Sequence, residues 1–409
     1  MDDGRVSRRR VLAAVALSGS LAGCTGVLGG NPGAASQSDS TPAEQTDTPE
    51  SATSVEITEA LTGISSPWGL AFLPDESGLL VTEQDGQLLL ADVESGDQTE
   101  LTGVPEVYAR GQGGLLDVTL HPDFDANQFV YLTYSVAGDG GSTTRVGRGR
   151  LERDAGRLAE FEPIYTARPF VESTGHYGSR ALFDTEGYLY VSVGDRQFKN
   201  FGPDHVAQDL SNDLGSVLRL NDDGSIPDSN PFVDDSEASG AVFTYGNRNP
   251  QGLALHPETG AVWETEYGER DGDEINILEA GGNYGWPVAD NSCEYGSDDS
   301  VGVPHDERED VIAPVFGWPC GTGGFPPSGA TFYDGDAFPD WRGDLFVAGT
   351  AKQYLAHFTV DGREVTEVAS LLADRGQRLR DVTVSPVSGH LYVAVDADDA
   401  PIYRIAPEA

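Results

Sequence analysis

From Val55 onward, short stretches of alternating apolar and polar residues recur, each closed by a turn rich in Pro, Gly and Asp. No long stretch carries a 3.6-residue apolar period, so helix is expected to be minor. The recurring unit is an apolar strand, a turn, and a second strand of the Leu-Tyr-Val type. Its six copies begin at Gly69, Asp117, Arg180, Gly252, Gly329 and Asp381, and their partner strands begin at Leu79, Val130, Tyr188, Ala261, Asp344 and His390. Six such units predict an all-β fold, a six-bladed β-propeller of four-stranded antiparallel sheets around a central channel. The copies lie about 48 to about 78 residues apart, so large insertions sit between strands. A pair of β-sandwich domains is the alternative, but it does not explain the strand–turn–strand recurrence. The Val55–Leu61 segment is expected to complete the last blade and close the ring. His121 and His256 share one slot of the repeat, ahead of Pro-Asp and Pro-Glu, which reads as a turn device rather than chemistry.

Composition narrows the partners. The 409-residue chain has 67 acidic and 25 basic residues, a net charge of -42, so nucleic acid, whose phosphates it would repel, is excluded. Only Lys199 and Lys352 are lysines; the other basic residues are arginine. Acid excess with almost no lysine fits a protein kept soluble in very high salt, where screening removes most of the self-repulsion. A 38% hydrophobic content in regular strands argues against an acidic disordered chain.

Residues 1–23 read as a leader. Ser7-Arg8-Arg9-Arg10 precedes a short apolar run ending in Leu21-Ala22-Gly23-Cys24. Twin arginines before a weakly apolar segment resemble a Tat export signal, and Leu-Ala-Gly-Cys resembles a lipobox that would lipidate Cys24. The expectation is an exported protein on the outer face of the cell membrane, in contact with it only through that anchor. Residues 24–54, rich in Ser, Thr, Pro and acid, read as a disordered tether, leaving 55–409 as the propeller domain. With Cys24 an anchor, Cys293 and Cys320 remain as a pair. A disulfide is expected, since zinc needs more ligands than these two supply nearby.

The candidate chemistry centres on Tyr245 to Pro287. This stretch holds an Arg248-Asn249-Pro250 turn, an acidic loop from Glu266 to Glu274, and the aromatic turn Gly281-Gly282-Asn283-Tyr284-Gly285-Trp286. Cationic donor, oxygen-rich loop and aromatic wall together suit a polyanionic ligand and a hard metal ion. In chain order the sequence also carries Gln112 in Gly-Gln-Gly-Gly, His176 in Gly-His-Tyr-Gly, Asp273-Glu274-Ile275-Asn276, and Arg378-Leu379-Arg380-Asp381. This ordered set, spanning roughly Ser65 to Ile405, resembles the soluble pyrroloquinoline quinone (PQQ)-dependent aldose sugar dehydrogenases of the glucose/sorbosone dehydrogenase family.

The resemblance implies roles. Arg248, Arg378 and Arg380 match the arginines that bind the tricarboxylate PQQ, Gln112 and Asn249 its amide donors, and Lys352 falls near its lysine. The Gly268 and Glu269 carbonyls match ligands of a Ca²⁺ on the quinone, and Glu274 and Tyr284 match a second, structural Ca²⁺ site. Proline is usual in the family where Glu269 stands, and Gln or His where Tyr267 stands. His176 matches the general base and Asp195 the carboxylate that orients it, with Arg248 completing the catalytic group. The implied reaction is oxidation of an aldose at C1 to the lactone, by hydride transfer to PQQ, with electrons passed to an external acceptor. Gly175 replaces an acid of the glucose-specific members, which leaves the preferred sugar open. The competing readings are a Ca²⁺-dependent lactonase-type propeller hydrolase, which would have no use for this set of cations, and a non-catalytic binding propeller. The oligomeric state is not legible.

Overall fold

The computed structural model describes residues 54–408; the expected leader and almost all of the expected tether lie outside them. Twenty-four strands form six four-stranded antiparallel sheets, each built from strands consecutive in sequence except the last. The propeller expectation holds, and helix is reduced to the single turn Phe124–Asn127 and a few 3₁₀ turns.

The innermost strands are Pro67–Phe72, Leu115–Leu120, Ala181–Phe183, Pro250–Leu255, Pro327–Phe332 and Leu379–Val384. The second strands are the most apolar, because both of their faces are covered by neighbouring blades. Leu79–Glu83, Leu189–Val193, Leu345–Gly349 and Leu391–Val395 are buried at every position. Outermost strands need only one apolar face, and Glu364–Leu371 alternates exposed and half-buried residues along its length. Apolar side chains fill a wedge between each adjacent pair of blades. Val81 and Tyr392 meet between the first and last, and Phe332 and Trp263 between the fourth and fifth. The ring closes as anticipated: Val55–Ile64 pairs antiparallel with Ala400–Pro407, so the first strand is the outer edge of the last blade. His121 and His256 do brace their turns, accepting from the backbone N–H of Asp123 at 2.9 Å and of Glu258 at 3.2 Å.

One layer across the channel fixes where a ligand can sit. The six residues heading the repeats are Gly69, Asp117, Arg180, Gly252, Gly329 and Asp381, one per blade. Arg180 reaches across the axis, its Nη1 lying 2.8 Å from Asp117 Oδ1 and 3.1 Å from Asp381 Oδ1, all three buried. Each aspartate also ties its blade to the next: Asp117 accepts from Ala181 N–H and Asp381 from Leu70 N–H, both at 2.8 Å. The glycines make room for these carboxylates. A Cβ on Gly329 would stand 1.8 Å from Asp381 Oδ1, and one on Gly69 2.6 Å from Asp117 Oδ1. The layer divides the channel. On one side lies a vestibule of about 570 Å³ lined by Phe72, Leu182, Leu255 and Phe332 among others. On the other lies a smaller chamber whose floor includes Trp68, Leu116, Gln251 and Arg380, each one residue ahead of a layer position.

Candidate active site

The chamber faces the end of the ring where chains enter the innermost strands and leave the second strands. Antiparallel pairing therefore brings Gln112, His176, Arg248 and Arg378, which precede inner strands, together with Asp195 and Tyr267, which follow second strands. Its walls include Trp68, Gln112, Tyr177, Tyr267, Arg378 and Arg380. Arg378 and Arg380 share one carboxylate oxygen, Asp396 Oδ2, at 2.8 and 2.6 Å. Two guanidiniums on one carboxylate leave a net positive charge, and the buried Arg380 Nε has no partner.

Beside the chamber, His176 is held in a defined tautomer. Its Nδ1 lies 2.6 Å from Asp195 Oδ1, and its backbone N–H donates to Gln112 Oε1 at 2.7 Å. Asp195 is fixed in turn: its Oδ2 accepts from Trp286 Nε1 at 2.9 Å and its Oδ1 from Gln197 N–H at 2.8 Å. His176 adopts φ +46°, a conformation uncommon for a non-glycine residue and a frequent mark of functional sites. Burial, reinforced by the positive charges of Arg248 and Lys199, outweighs Asp195 and holds the imidazole below its ordinary pKa. Asp195 stays below the usual carboxylate value: although burial opposes this, His176, their hydrogen bond and Arg248 prevail. A neutral imidazole donating from Nδ1 to a carboxylate leaves Nε2 free to accept a proton.

Arg248 joins the two regions. Its Nη1 donates to the Tyr267 carbonyl at 3.1 Å and its Nη2 to Glu269 Oε2 at 2.6 Å, while it lies over the Trp286 ring. Asn249 Oδ1 accepts from Gly178 N–H at 3.2 Å. The structure thus gathers Gln112, His176, Asp195, Arg248, Asn249, Arg378 and Arg380. Lys352 is exposed beside the Gly323 turn and is not among the residues lining the chamber.

Glu269 does more with its side chain than its sequence context suggested. The buried carboxylate bridges Arg248 and Lys199, whose Nζ lies 2.5 Å from both Glu269 oxygens. Sequence reasoning missed Lys199; its rarity was the available signal. Trp68 was missed as a chamber wall too.

Around the second expected metal site, Glu274 Oε1 is buried without a partner, and Glu264 Oε1 and Asn276 Oδ1 share that condition. Burial, with nearby carboxylates adding, pushes Glu274 well above the carboxylate range. His305 Nε2 lies 3.7 Å from Glu274 Oε1 and 3.2 Å from the Tyr284 carbonyl, so both oxygens border one spot. Among the described residues no three His, Cys, Asp or Glu side chains converge as metal ligands. The Cys293–Cys320 disulfide is formed.

A propeller with a cation-walled chamber beside a His–Asp pair matches the Glucose / Sorbosone dehydrogenase family model over residues 64–404. The chain belongs to this family and is accordingly an oxidoreductase of the sugar dehydrogenase class. Among its relatives, aldose sugar dehydrogenase YliI of Escherichia coli strain K12 is 40% identical over 348 residues, 84% of this chain and 91% of that one. The solved apo-form of the soluble aldose sugar dehydrogenase from Escherichia coli superposes with a TM-score of 0.81 at 39% identity, covering 87% of this chain and all of that one. The PQQ-bound form of an aldose sugar dehydrogenase from Streptomyces coelicolor superposes with a TM-score of 0.70 at 25% identity, over 87% of this chain and 99% of that one.

Proposed function

We propose that the protein oxidises the C1 hydroxyl of aldose sugars to the lactone, using PQQ and Ca²⁺ and handing electrons to an external acceptor. The observation that carries the reading is the pairing of a neutral, Asp195-oriented His176 with an adjoining chamber walled by excess guanidinium charge. The likeness to a PQQ-bound aldose sugar dehydrogenase supports the choice of cofactor.

The residues present fit these groups. A planar polycarboxylate needs bidentate cations and flat surface, and the chamber walls offer Arg378 and Arg380 together with the rings of Trp68, Tyr177 and Tyr267. The unpartnered oxygens of Glu274, Glu264 and Asn276 suit a hard cation in the structural site. The Gly268 and Glu269 carbonyls would hold the other cation, with Glu269's side chain kept in place by Arg248 and Lys199. Bound PQQ would supply the two-electron acceptor and Ca²⁺ the Lewis acid that polarises it.

The chain's own part is proton chemistry and placement. His176 Nε2 takes the proton of the C1 hydroxyl, and the imidazolium formed is stabilised by Asp195. Trp286 and Gln197 keep Asp195 from turning away. Arg248 puts positive charge beside His176, and would there favour an acceptor that gains negative charge. A lactonase-type hydrolase has no use for these cations, and a binding propeller has none for the His176–Asp195 pair. The resemblance of residues 7–24 to a Tat leader with a lipobox supports an exported domain held by a lipid at Cys24, a reading that radiolabelled-lipid incorporation and its loss in Cys24→Ala would test.

The deciding experiment is reconstitution of apoprotein in multi-molar KCl with PQQ and Ca²⁺, following dye reduction across a panel of aldoses. Turnover that requires both additions is expected. Failure of folded protein to bind PQQ would overturn the reading.

A further inference from the structure

A second buried histidine stands beside the catalytic pair. His205 is fully buried, and its Nε2 lies 3.6 Å from Asp195 Oδ2, the oxygen that His176 does not use. Its ring stands edge-on to Trp286, at 5.9 Å between centroids, and that indole N–H reaches the same oxygen. Neighbours locate the proton of His205. Nδ1 accepts from Ala207 N–H at 3.1 Å and so carries none, which leaves the neutral ring a donor only at Nε2. From there it faces Asp195 Oδ2 and the Phe198 carbonyl, the latter at 3.3 Å. Burial, reinforced by Arg248 and Lys199, outweighs Asp195 and holds the ring below its ordinary pKa, so the donor stays uncharged.

The backbone next to Asp195 needs such a brace. Arg196 and Gln197 take φ +60° and +64°, two successive left-handed residues that both carry side chains. Gln197 N–H ties the near end of this turn to Asp195 Oδ1 at 2.8 Å, and His205 grips its far end at Phe198. His205 is itself anchored, since it opens the 3₁₀ turn Val206–Gln208. There the Ala207 carbonyl accepts from Gly246 N–H at 2.9 Å, and Gln208 Nε2 donates to the Trp286 carbonyl at 2.7 Å. A neutral donor suits the task, because it steadies Asp195 without cancelling the negative charge that stabilises an imidazolium at His176. We propose that His205 is a positioning residue, which fixes Asp195 and through it the orientation of His176. The inference rests on the C1-oxidation reading above.

The test uses two variants of the full-length, reconstituted enzyme. His205→Gln keeps an N–H near the Nε2 position; His205→Asn keeps an acceptor for Ala207 N–H but no donor that reaches Asp195. His205→Asn should lower kcat by about tenfold with KM and quinone affinity within about twofold, and His205→Gln should stay within about threefold of the parent kcat. Asp195, Arg248 and Lys199 are the charged groups that act on His176. With one donor fewer, Asp195 pulls harder on the imidazole proton, so His205→Asn should move the acid limb of kcat/KM to higher pH, by less than about one pH unit. In cofactor-free protein the His176 Nδ1 proton should give a sharp downfield NMR resonance in the parent and in His205→Gln, and a broadened one in His205→Asn. Equal losses in the two variants, or a slower His205→Asn with acid limb and resonance unmoved, would reduce His205 to a packing residue and overturn the proposal. Absence of turnover with any sugar in the parent protein would instead overturn the oxidation reading, while the resonance still reports whether His205 holds Asp195.

Discussion

Two charged trios in the propeller differ in which sign is in excess. Asp117, Arg180 and Asp381 set two carboxylates on one guanidinium; Lys199, Glu269 and Arg248 set two cations on one carboxylate. In each, burial leads a pKa shift and the surplus charge adds to it, in opposite directions: within the first trio at Asp117, beside the second at His176. Burial, with Asp381 adding against Arg180, pushes Asp117 up to about 6. Arg248 and Lys199 add to burial in pushing His176 down. The first trio is sealed at the waist of the propeller and bonds to neighbouring backbones, so it serves architecture. The second has one exposed member and acts on His176, the proposed base, so its surplus is available to chemistry. Similar parts do different work because of charge balance and depth.

Breaking each trio at its arginine should separate the two roles. Arg180→Ala strands two buried carboxylates with no cation, and should cost about 3–5 kcal/mol of stability in denaturant titration. It should also loosen the Trp68 ring, over which the guanidinium lies at 4.3 Å. Arg248→Ala leaves Glu269 still paired with Lys199, so the melting temperature should move far less. Its kcat should fall by about 10²–10³-fold, the usual consequence of losing one charge-stabilising donor. Equal stability losses in the two variants would erase the distinction.

A smaller change sharpens it. Lys199 is half exposed, so its pair with Glu269 contributes little to stability, of order 0–1 kcal/mol. Its charge nonetheless helps keep His176 neutral. The base is active when deprotonated, so kcat/KM should fall on acidification only below the ordinary histidine value. Lys199→Ala should let the His176 pKa rise and move that acid limb toward higher pH, by less than about one unit. A limb that stays put would remove Lys199 from the site's electrostatics.

The blades were legible because each needs apolar residues at a period of two, and that pattern survives insertions such as the one between Ile277 and Phe316. The closing strand followed from the same pattern, and the disulfide from the cysteine count once Cys24 was set aside. The chamber's cations and the His176–Asp195 pair were legible through short motifs whose order matches a known family. Contacts that only ring closure creates were not. Arg180 and Asp117 are 63 residues apart in sequence, and Asp381 and Leu70 are 311 apart. Yet those positions head the recurring unit, so superposing the copies in register would have exposed the charged layer. The side-chain role of Glu269 stayed hidden for a different reason: its partner Lys199 lies in an irregular loop where no period constrains position.

The most direct test of the account is His176→Ala, with sugar turnover and PQQ binding measured on the same reconstituted sample. Turnover lower by about 10²–10⁴-fold with quinone affinity unchanged is the predicted result. Full turnover in the variant would contradict the assignment of His176 as the base that takes the C1 proton.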